Sequence, residues 1–279
     1  MPDVIESLNN LETVKIEREE GVTFLILNRP EQRNAMSPQL HREMYLALEE
    51  LAEDDETKVV VITGAGKAFC AGQDLKLYFR ANEDNAKARA RARRESHGWR
   101  WEKLSKYPKP TIAMVNGFCF GGAFTAVCAC DFVIAADEAT FGLSEVNWGI
   151  IPGGVVAWNV VRVLGYRDAM WYATTGETFD GKKAAELKFA NKSVPLEKLR
   201  HETMELARSL MKKSPYALRY TKEAIRAVRD MNVDQAADYL EAKSDALKFR
   251  DPEKGRDKAM KQFIDEKSFK PGFGDFARR

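Results

Sequence analysis

Thr111-Ile-Ala-Met-Val-Asn-Gly-Phe-Cys-Phe-Gly-Gly-Ala-Phe-Thr-Ala-Val-Cys-Ala-Cys130 is the stretch whose reading decides the fold. From Pro110 to Cys130 there is no charged residue, and length alone would admit a membrane-spanning helix. Asn116, Gly117, Gly121 and Gly122 break such a span. The order is instead a buried strand, a glycine turn and a small-residue helix. Working outward, Lys58-Val-Val-Val-Ile-Thr63 is too apolar for a strand with one wet face, so both faces are expected to be buried. Glycines 64, 66 and 72 follow it. On the other side, Asp131-Phe-Val-Ile-Ala-Ala136 starts the pattern again. Strand, loop and helix thus recur over residues 59–74, over 111–130 and from 131 onward. Parallel strands need outer crossovers, which predicts stacked ββα turns in an α/β fold.

Nearer the N-terminus, residues 13–18 and 22–28 are two β-rich runs around Glu19-Glu20-Gly21, the pattern of a hairpin. Pro30 ends the second run. Ser37 then caps a helix with Pro38 at its first position, continued by Leu40, Met44, Ala47, Leu48 and Leu51. After Gly153 helical patterns dominate, with helices predicted over 196–213, 214–230, 233–249 and 252–266. The spacing places a boundary near Val194-Pro195, separating a core (1–194) from a C-terminal helical region (195–279).

Composition narrows the function. The chain has 279 residues, 44% apolar and 31% charged types and a formal charge of +2, which is ordinary for a soluble globular protein and implies no bulk attraction to polyanions. The four cysteines, Cys70, Cys119, Cys128 and Cys130, lack paired spacing, and only His41, His97 and His201 could join them, so no metal site is expected. The acidic, polar start MPDVIESLNN has no leader pattern, and the expectation is a reducing cytoplasm without membrane attachment. Residues 87–94, KARARARR, precede Trp99 and Trp101 and invite a nucleic-acid reading. Arg and Ala alternate there at period two inside a helix, so the charges wrap around it as a solvated face or as a rim near a ligand phosphate, and no nucleic-acid partner is expected.

Two glycine-bearing turns follow buried strands: Ala68-Phe-Cys-Ala-Gly-Gln-Asp74 and Asn116-Gly-Phe-Cys-Phe-Gly-Gly-Ala-Phe-Thr125. Side by side they can aim two backbone N–H groups at one oxygen, the second from a helix N-terminus, forming an oxyanion hole. Neither fits a dinucleotide or P-loop pattern. The three histidines sit in charged helical contexts read as exposed, leaving no base for a serine nucleophile. Glu145 is different: no charged residue follows it until Arg162. A carboxyl group in apolar surroundings is disfavoured as the anion, which suits a proton carrier near neutral pH.

Together Leu27-Asn-Arg-Pro-Glu-Gln-Arg-Asn-Ala-Met36, the AGQD turn, the NGFCFGGAF turn and FGLSEVNWGIIPGG resemble the crotonase (enoyl-CoA hydratase/isomerase) superfamily over nearly the whole chain. The resemblance implies a spiral of ββα turns with a C-terminal helical trimerisation region. It further implies an acyl-CoA thioester substrate, no cofactor beyond the CoA of that substrate, and a homo-trimer or dimer of trimers. By position, the amides of Gln73 and Gly122 would hold the thioester oxygen. Ordinary hydratases of the family carry two glutamates; Glu145 matches one, and Thr125, which cannot be a carboxylate base, stands in the catalytic set where the other would be. The sequence looks closer to the family's 4-hydroxycinnamoyl-CoA hydratase-lyase branch. There two tyrosines hold the phenolic oxygen, matching Tyr78 and the catalytic Tyr239, and Trp148 would line the aromatic pocket. For CoA the resemblance points to Gln32, Arg33, Ala71, Gly72, Gln73, Asp74, Leu75, Lys76, Gly122, Ala123 and Phe124, with Arg29 adding charge. Two positions depart from that branch: Gln73, where methionine is expected, and Glu241, where an aromatic is expected.

Overall fold

The protein is described by a computed structural model covering Leu8, residues 10–270, Gly272 and residues 274–278. Its strands, in chain order, are β1 (Val14–Glu19), β2 (Val22–Leu27), β3 (Val59–Gly64), β4 (Ala68–Cys70), β5 (Thr111–Val115), β6 (Phe118–Phe120), β7 (Phe132–Ala136), β8 (Thr140–Gly142), β9 (Thr178–Asp180) and β10 (Lys192–Val194). The hairpin forms as predicted, with β1 antiparallel to β2 and Glu19 facing Val22. Glu20 and Gly21 both take positive φ (50° and 80°), as a two-residue turn between twisted strands requires.

From β2 onward the chain winds as a spiral. One sheet runs β1-β2-β3-β5-β7-β10 and the other β4-β6-β8-β9. Each strand–turn–strand unit therefore gives its first strand to one sheet and its second to the other: β3 and β4, β5 and β6, β7 and β8. β3 is parallel to both β2 and β5 and buried throughout, which its unbroken apolar run demands. Two strands were not legible in the sequence. β9 and β10 lie beyond Gly153, where helices alone were expected; each has three residues, too few for a period, and each pairs at a sheet edge, with β8 and β7.

The helices are α1 (Pro38–Glu53), α2 (Ala86–His97), α3 (Ala123–Ala129), α4 (Val156–Val163), α5 (Tyr166–Thr175), α6 (Gly181–Glu186), α7 (Leu196–Met211), α8 (Pro215–Val228), α9 (Val233–Arg250) and α10 (Gly255–Met260). Ser37 caps α1 by accepting from Leu40 N at 3.2 Å, and α1 buries Leu40, His41, Met44, Ala47, Leu48 and Leu51. His41 corrects the expectation of exposed histidines. It occupies a core position of the apolar stripe, and its ring nitrogens are satisfied inside the protein, so the polar neighbours that flank it in sequence misrepresent its surroundings. Phe124, Phe141, Phe179 and Phe189 form an aromatic cluster, with Phe124–Phe189 centroids 4.8 Å apart and Phe141 stacked on Phe179 at 5.3 Å.

The chain divides into two compact units, one ending at Leu206 and one starting at Ala207, so the break falls inside α7 and beyond Val194-Pro195. Within the second unit α9 opens with a capping box between Asn232 and Gln235, and Lys243 of α9 donates to Glu223 of α8 at 2.5 Å. Among the described residues, no helix is long and apolar enough to cross a membrane.

In the first unit, Asn34 pins the 29–36 loop to the β3–β4 turn. It is buried, at φ 57°; its amide donates to Ala65 O (2.9 Å) and Ala68 O (2.7 Å), and its Oδ1 accepts from Arg29 N (2.9 Å). Asn34→Ala strands three backbone groups, one buried and two half-buried, and keeps a left-handed backbone without the side chain that tolerates it. Denaturant unfolding should show a loss of about 3 kcal/mol at unchanged m-value.

Candidate active site

Gly72 sets the geometry of the site. The 71–74 turn lies against Met36, whose N–H donates to Gly72 O at 2.8 Å and whose carbonyl accepts from Asp74 N at 3.1 Å. That parallel bridge uses the groups on either side of Gln73, so the Gln73 N–H points away from Met36. At φ +91° Gly72 has no room for a side chain: a Cβ there would meet Phe120 O at 2.9 Å and Gly122 N at 3.5 Å. The two glycine turns predicted to cooperate are thus in contact. Among the described residues no group of the chain accepts from the Gln73 or the Gly122 N–H.

These turns open onto a cavity of about 750 Å³, whose wall includes Ala71, Gly72, Gln73, Gly121, Gly122 and Glu145. Glu145 begins a short 3-10 turn (Glu145–Trp148), and its Oε2 is buried without a hydrogen-bond partner. Burial holds its carboxyl above the usual carboxylate range. Gly121, at φ +51°, makes space for it, because a Cβ there would lie 3.2 Å from Glu145 Oε1. Glu145 is the only acid on the wall among the described residues. Tyr78, Phe79, Phe118, Phe120, Trp148, Ile150 and Ile151 give the cavity an aromatic and aliphatic side, while Arg33, Arg93 and His97 supply basic groups. Arg93 belongs to the basic run on α2, which therefore serves partly as a rim to this cavity.

Behind the turns lies a chain of buried polar groups that sequence reasoning missed. Trp99 Nε1 donates to His41 Nδ1 at 2.8 Å. An indole N–H can only donate, so Nδ1 is the bare nitrogen and the ring proton is on Nε2, which donates to Gln73 Oε1 at 2.9 Å. Gln73 Nε2 then donates to Ser96 Oγ at 2.8 Å. The reverse amide orientation would make both imidazole nitrogens acceptors and leave the ring no proton. Burial, with help from Arg100, lowers the His41 pKa to about 3, so the ring stays neutral. Arg100 completes the chain, donating from Nη2 to Ser96 Oγ (2.6 Å), from Nε to Ser96 O (3.1 Å) and from Nη1 to Gly122 O (2.6 Å). The i, i+4 spacing of Ser96 and Arg100 was the available signal, hidden because the segment after α2 is a π-helical turn (Gly98–Lys103).

Of the residues singled out from sequence, Arg33, Ala71, Gly72, Gln73, Leu75, Tyr78, Gly122, Glu145 and Trp148 line one cavity. Others lie elsewhere. Phe124 is in the aromatic cluster and Ala123 is buried at the start of α3, both off the cavity wall. Asp74 is taken up locally: it accepts from Lys76 N, Leu77 N and Arg29 Nη1, and Arg29 also donates to Ala35 O. Gln32 and Lys76 are exposed and off the cavity wall. The Thr125 hydroxyl, also off that wall, donates to Gly154 O at 3.1 Å and so anchors the loop after Trp148. Tyr239 belongs to α9 in the second unit, with Lys243 Nζ 5.5 Å from its ring centre.

Comparison with known proteins finds relatives over most of the chain. The Enoyl-CoA hydratase/isomerase family matches residues 17–275. A hydroxycinnamoyl-CoA hydratase-lyase from Pseudomonas fluorescens is 51% identical, covering 95% of this chain and 97% of that protein. A putative enoyl-CoA hydratase from Thermus thermophilus is 35% identical over 76% of this chain and 83% of its own. Among solved structures, an enoyl-CoA hydratase subunit I from Geobacillus kaustophilus superposes with TM-score 0.84 at 30% identity, covering 95% of this chain and 99% of its own.

The raised carboxyl carries a stability signature. In acid, Glu145 is protonated in both folded and unfolded chains; as pH rises past the ordinary carboxylate value, the unfolded chain ionises first and the folded state loses relative stability until Glu145 itself ionises. Glu145→Gln, which cannot ionise, should therefore match the wild type in Tm near about pH 4 and exceed it near about pH 8, read by calorimetry at both.

Proposed function

The chain belongs to the enoyl-CoA hydratase/isomerase family, and within it we propose that the protein adds water to a 4-hydroxycinnamoyl-CoA and cleaves the adduct to a hydroxybenzaldehyde and acetyl-CoA. The observation that carries this reading is the pairing of one carboxyl group, Glu145, with two unclaimed backbone N–H groups on a cavity that has an aromatic side. The relative from Pseudomonas fluorescens supports the acyl group.

In this reading the thioester oxygen sits between the Gln73 and Gly122 amides, which draws electron density from the double bond and makes the β-carbon electrophilic. Glu145 takes a proton from water as its oxygen bonds to that carbon, and the enolate so formed is protonated at the α-carbon. For cleavage the β-hydroxyl loses its proton, the carbonyl of the aldehyde forms, and the Cα–Cβ bond breaks with its electron pair passing to the acetyl-CoA enolate. The same two amides hold that anion until its α-carbon is protonated. Both steps need one oxyanion hole and one proton carrier, so a second glutamate at the position of Thr125 is not required. The reaction uses no cofactor beyond the CoA of the substrate. Tyr78 holds the phenolic oxygen, and Arg33 and Arg93 attract the CoA phosphates. The helical region, whose Ile225, Val233 and Phe249 are exposed, takes part in subunit contacts of a trimer or dimer of trimers. The four free cysteines suit a reducing cytoplasm.

Incubation with feruloyl-CoA should release vanillin and acetyl-CoA in equal amounts, followed by chromatography; hydration without aldehyde would remove the lyase assignment. Glu145→Gln should lower both steps by about 1,000-fold while CoA-ester binding persists. Tyr78→Phe should slow 4-hydroxycinnamoyl-CoA far more than a plain enoyl-CoA, compared by kcat/KM.

A further inference from the structure

Three arginines border the cavity, and only Arg100 is buried, at 4% exposure. Its side-chain donors go to Ser96 O, Ser96 Oγ and Gly122 O, all neutral acceptors. Among the described residues no carboxylate lies within ion-pair distance of it, and the thiol of Cys70, pushed up to about 12 by burial, stays protonated. An uncompensated buried cation is costly, and proteins ordinarily pair it or replace it with an apolar side chain. Here the fold makes room for it: a Cβ on Gly122 would sit 3.0 Å from Nη1, and one on Gly154 would sit 3.5 Å from Nη2. Its attachments are equally specific. Nη1 holds the carbonyl of Gly122, one donor residue, and Nη2 donates to Ser96 Oγ, which also accepts from the side chain of Gln73, the other.

We infer that Arg100 is the standing counter-charge for the enolate formed in this cavity, and that it also fixes the two oxyanion donors relative to one another. The inference rests on the enolate chemistry of the proposed function. The free protein keeps a positive charge that no carboxylate among the described residues pairs with, so the cavity favours the anion over the neutral thioester. That difference lowers the barrier and leaves substrate affinity nearly unchanged. Arg100 thus acts as a positioning and electrostatic residue.

The decisive variants are Arg100→Met, which removes the charge and keeps much of the volume, and Arg100→Lys, which keeps the charge and loses the fork. For Arg100→Met the expectation is a kcat about 100-fold lower, KM within about threefold, and a Tm unchanged or raised, because an unpaired buried charge has gone. Arg100→Lys should recover at least about tenfold of that kcat. Independently of turnover, cinnamoyl-CoA should be bound to Glu145→Gln and to the Glu145→Gln, Arg100→Met double variant, and its absorption recorded. Polarisation of the thioester carbonyl shifts the conjugated band to longer wavelength, and the shift should be smaller in the double variant. A wild-type kcat in Arg100→Met would overturn the inference. So would a fall in Tm with Lys no better than Met, or equal band shifts. The feruloyl-CoA assay of the wild type tests the lyase reading separately, since cinnamoyl-CoA has no phenol and its band reports only carbonyl polarisation.

Discussion

The site depends on one close approach: the backbone at Gly72 passes the Phe120 carbonyl and the Gly122 amide with no space for a methyl group. Two N–H groups from separate turns can converge on one oxygen only if their backbones come this near, and the spiral makes that possible. β4 and β6 are parallel neighbours in the smaller sheet, so the turns at their ends are brought together by ladder hydrogen bonds. The larger sheet supplies the rigidity, since β3 is held by parallel partners on both sides. Glu145 arrives from the next unit, after β8, and the left-handed Gly121 leaves it room. Each chemical group thus comes from a different turn of the spiral, and strand pairing sets the spacing between them.

The electrostatics follow from burial. Burial disfavours the charged form of His41, Glu145 and Arg100, the three groups beside this junction that are removed from solvent. His41 is neutral with a fixed tautomer, Glu145 resists ionisation, and Arg100, whose pKa burial lowers only to about 10, keeps its charge. An anion formed at the Gln73 and Gly122 amides meets fixed dipoles and one cation, with little reorganisation needed during the reaction.

Much of this was readable from sequence where a residue's role depends on backbone. The uncharged run 110–130 gave β5, a glycine turn, β6 and α3 because apolar periodicity and glycine placement are local signals. The two glycine turns and Glu145 stood out because turns after buried strands and an isolated acid can be seen one residue at a time, and the family resemblance singled out Gln73 and Gly122 within those turns. The polar chain behind the turns was not legible. His41, Gln73, Ser96, Trp99 and Arg100 are scattered over α1, a turn, α2 and the segment after it, and only tertiary packing reveals that they satisfy one another. Their sequence neighbours are polar, so a buried histidine on α1 looked like a wet one. Phe124 shows the opposite case: two residues after Gly122 in the motif, it turns inward on α3 and packs in the aromatic cluster, off the cavity wall.

The cavity wall described above contains neither lysine nor cysteine among the described residues. The thiol of Cys70 is wholly buried, with its Sγ 3.4 Å from Gly72 N, and burial pushes its pKa up to about 12, so it remains protonated. On the proposed reaction, an aldehyde released here would meet neither a lysine amine nor a thiolate among the described residues of the wall.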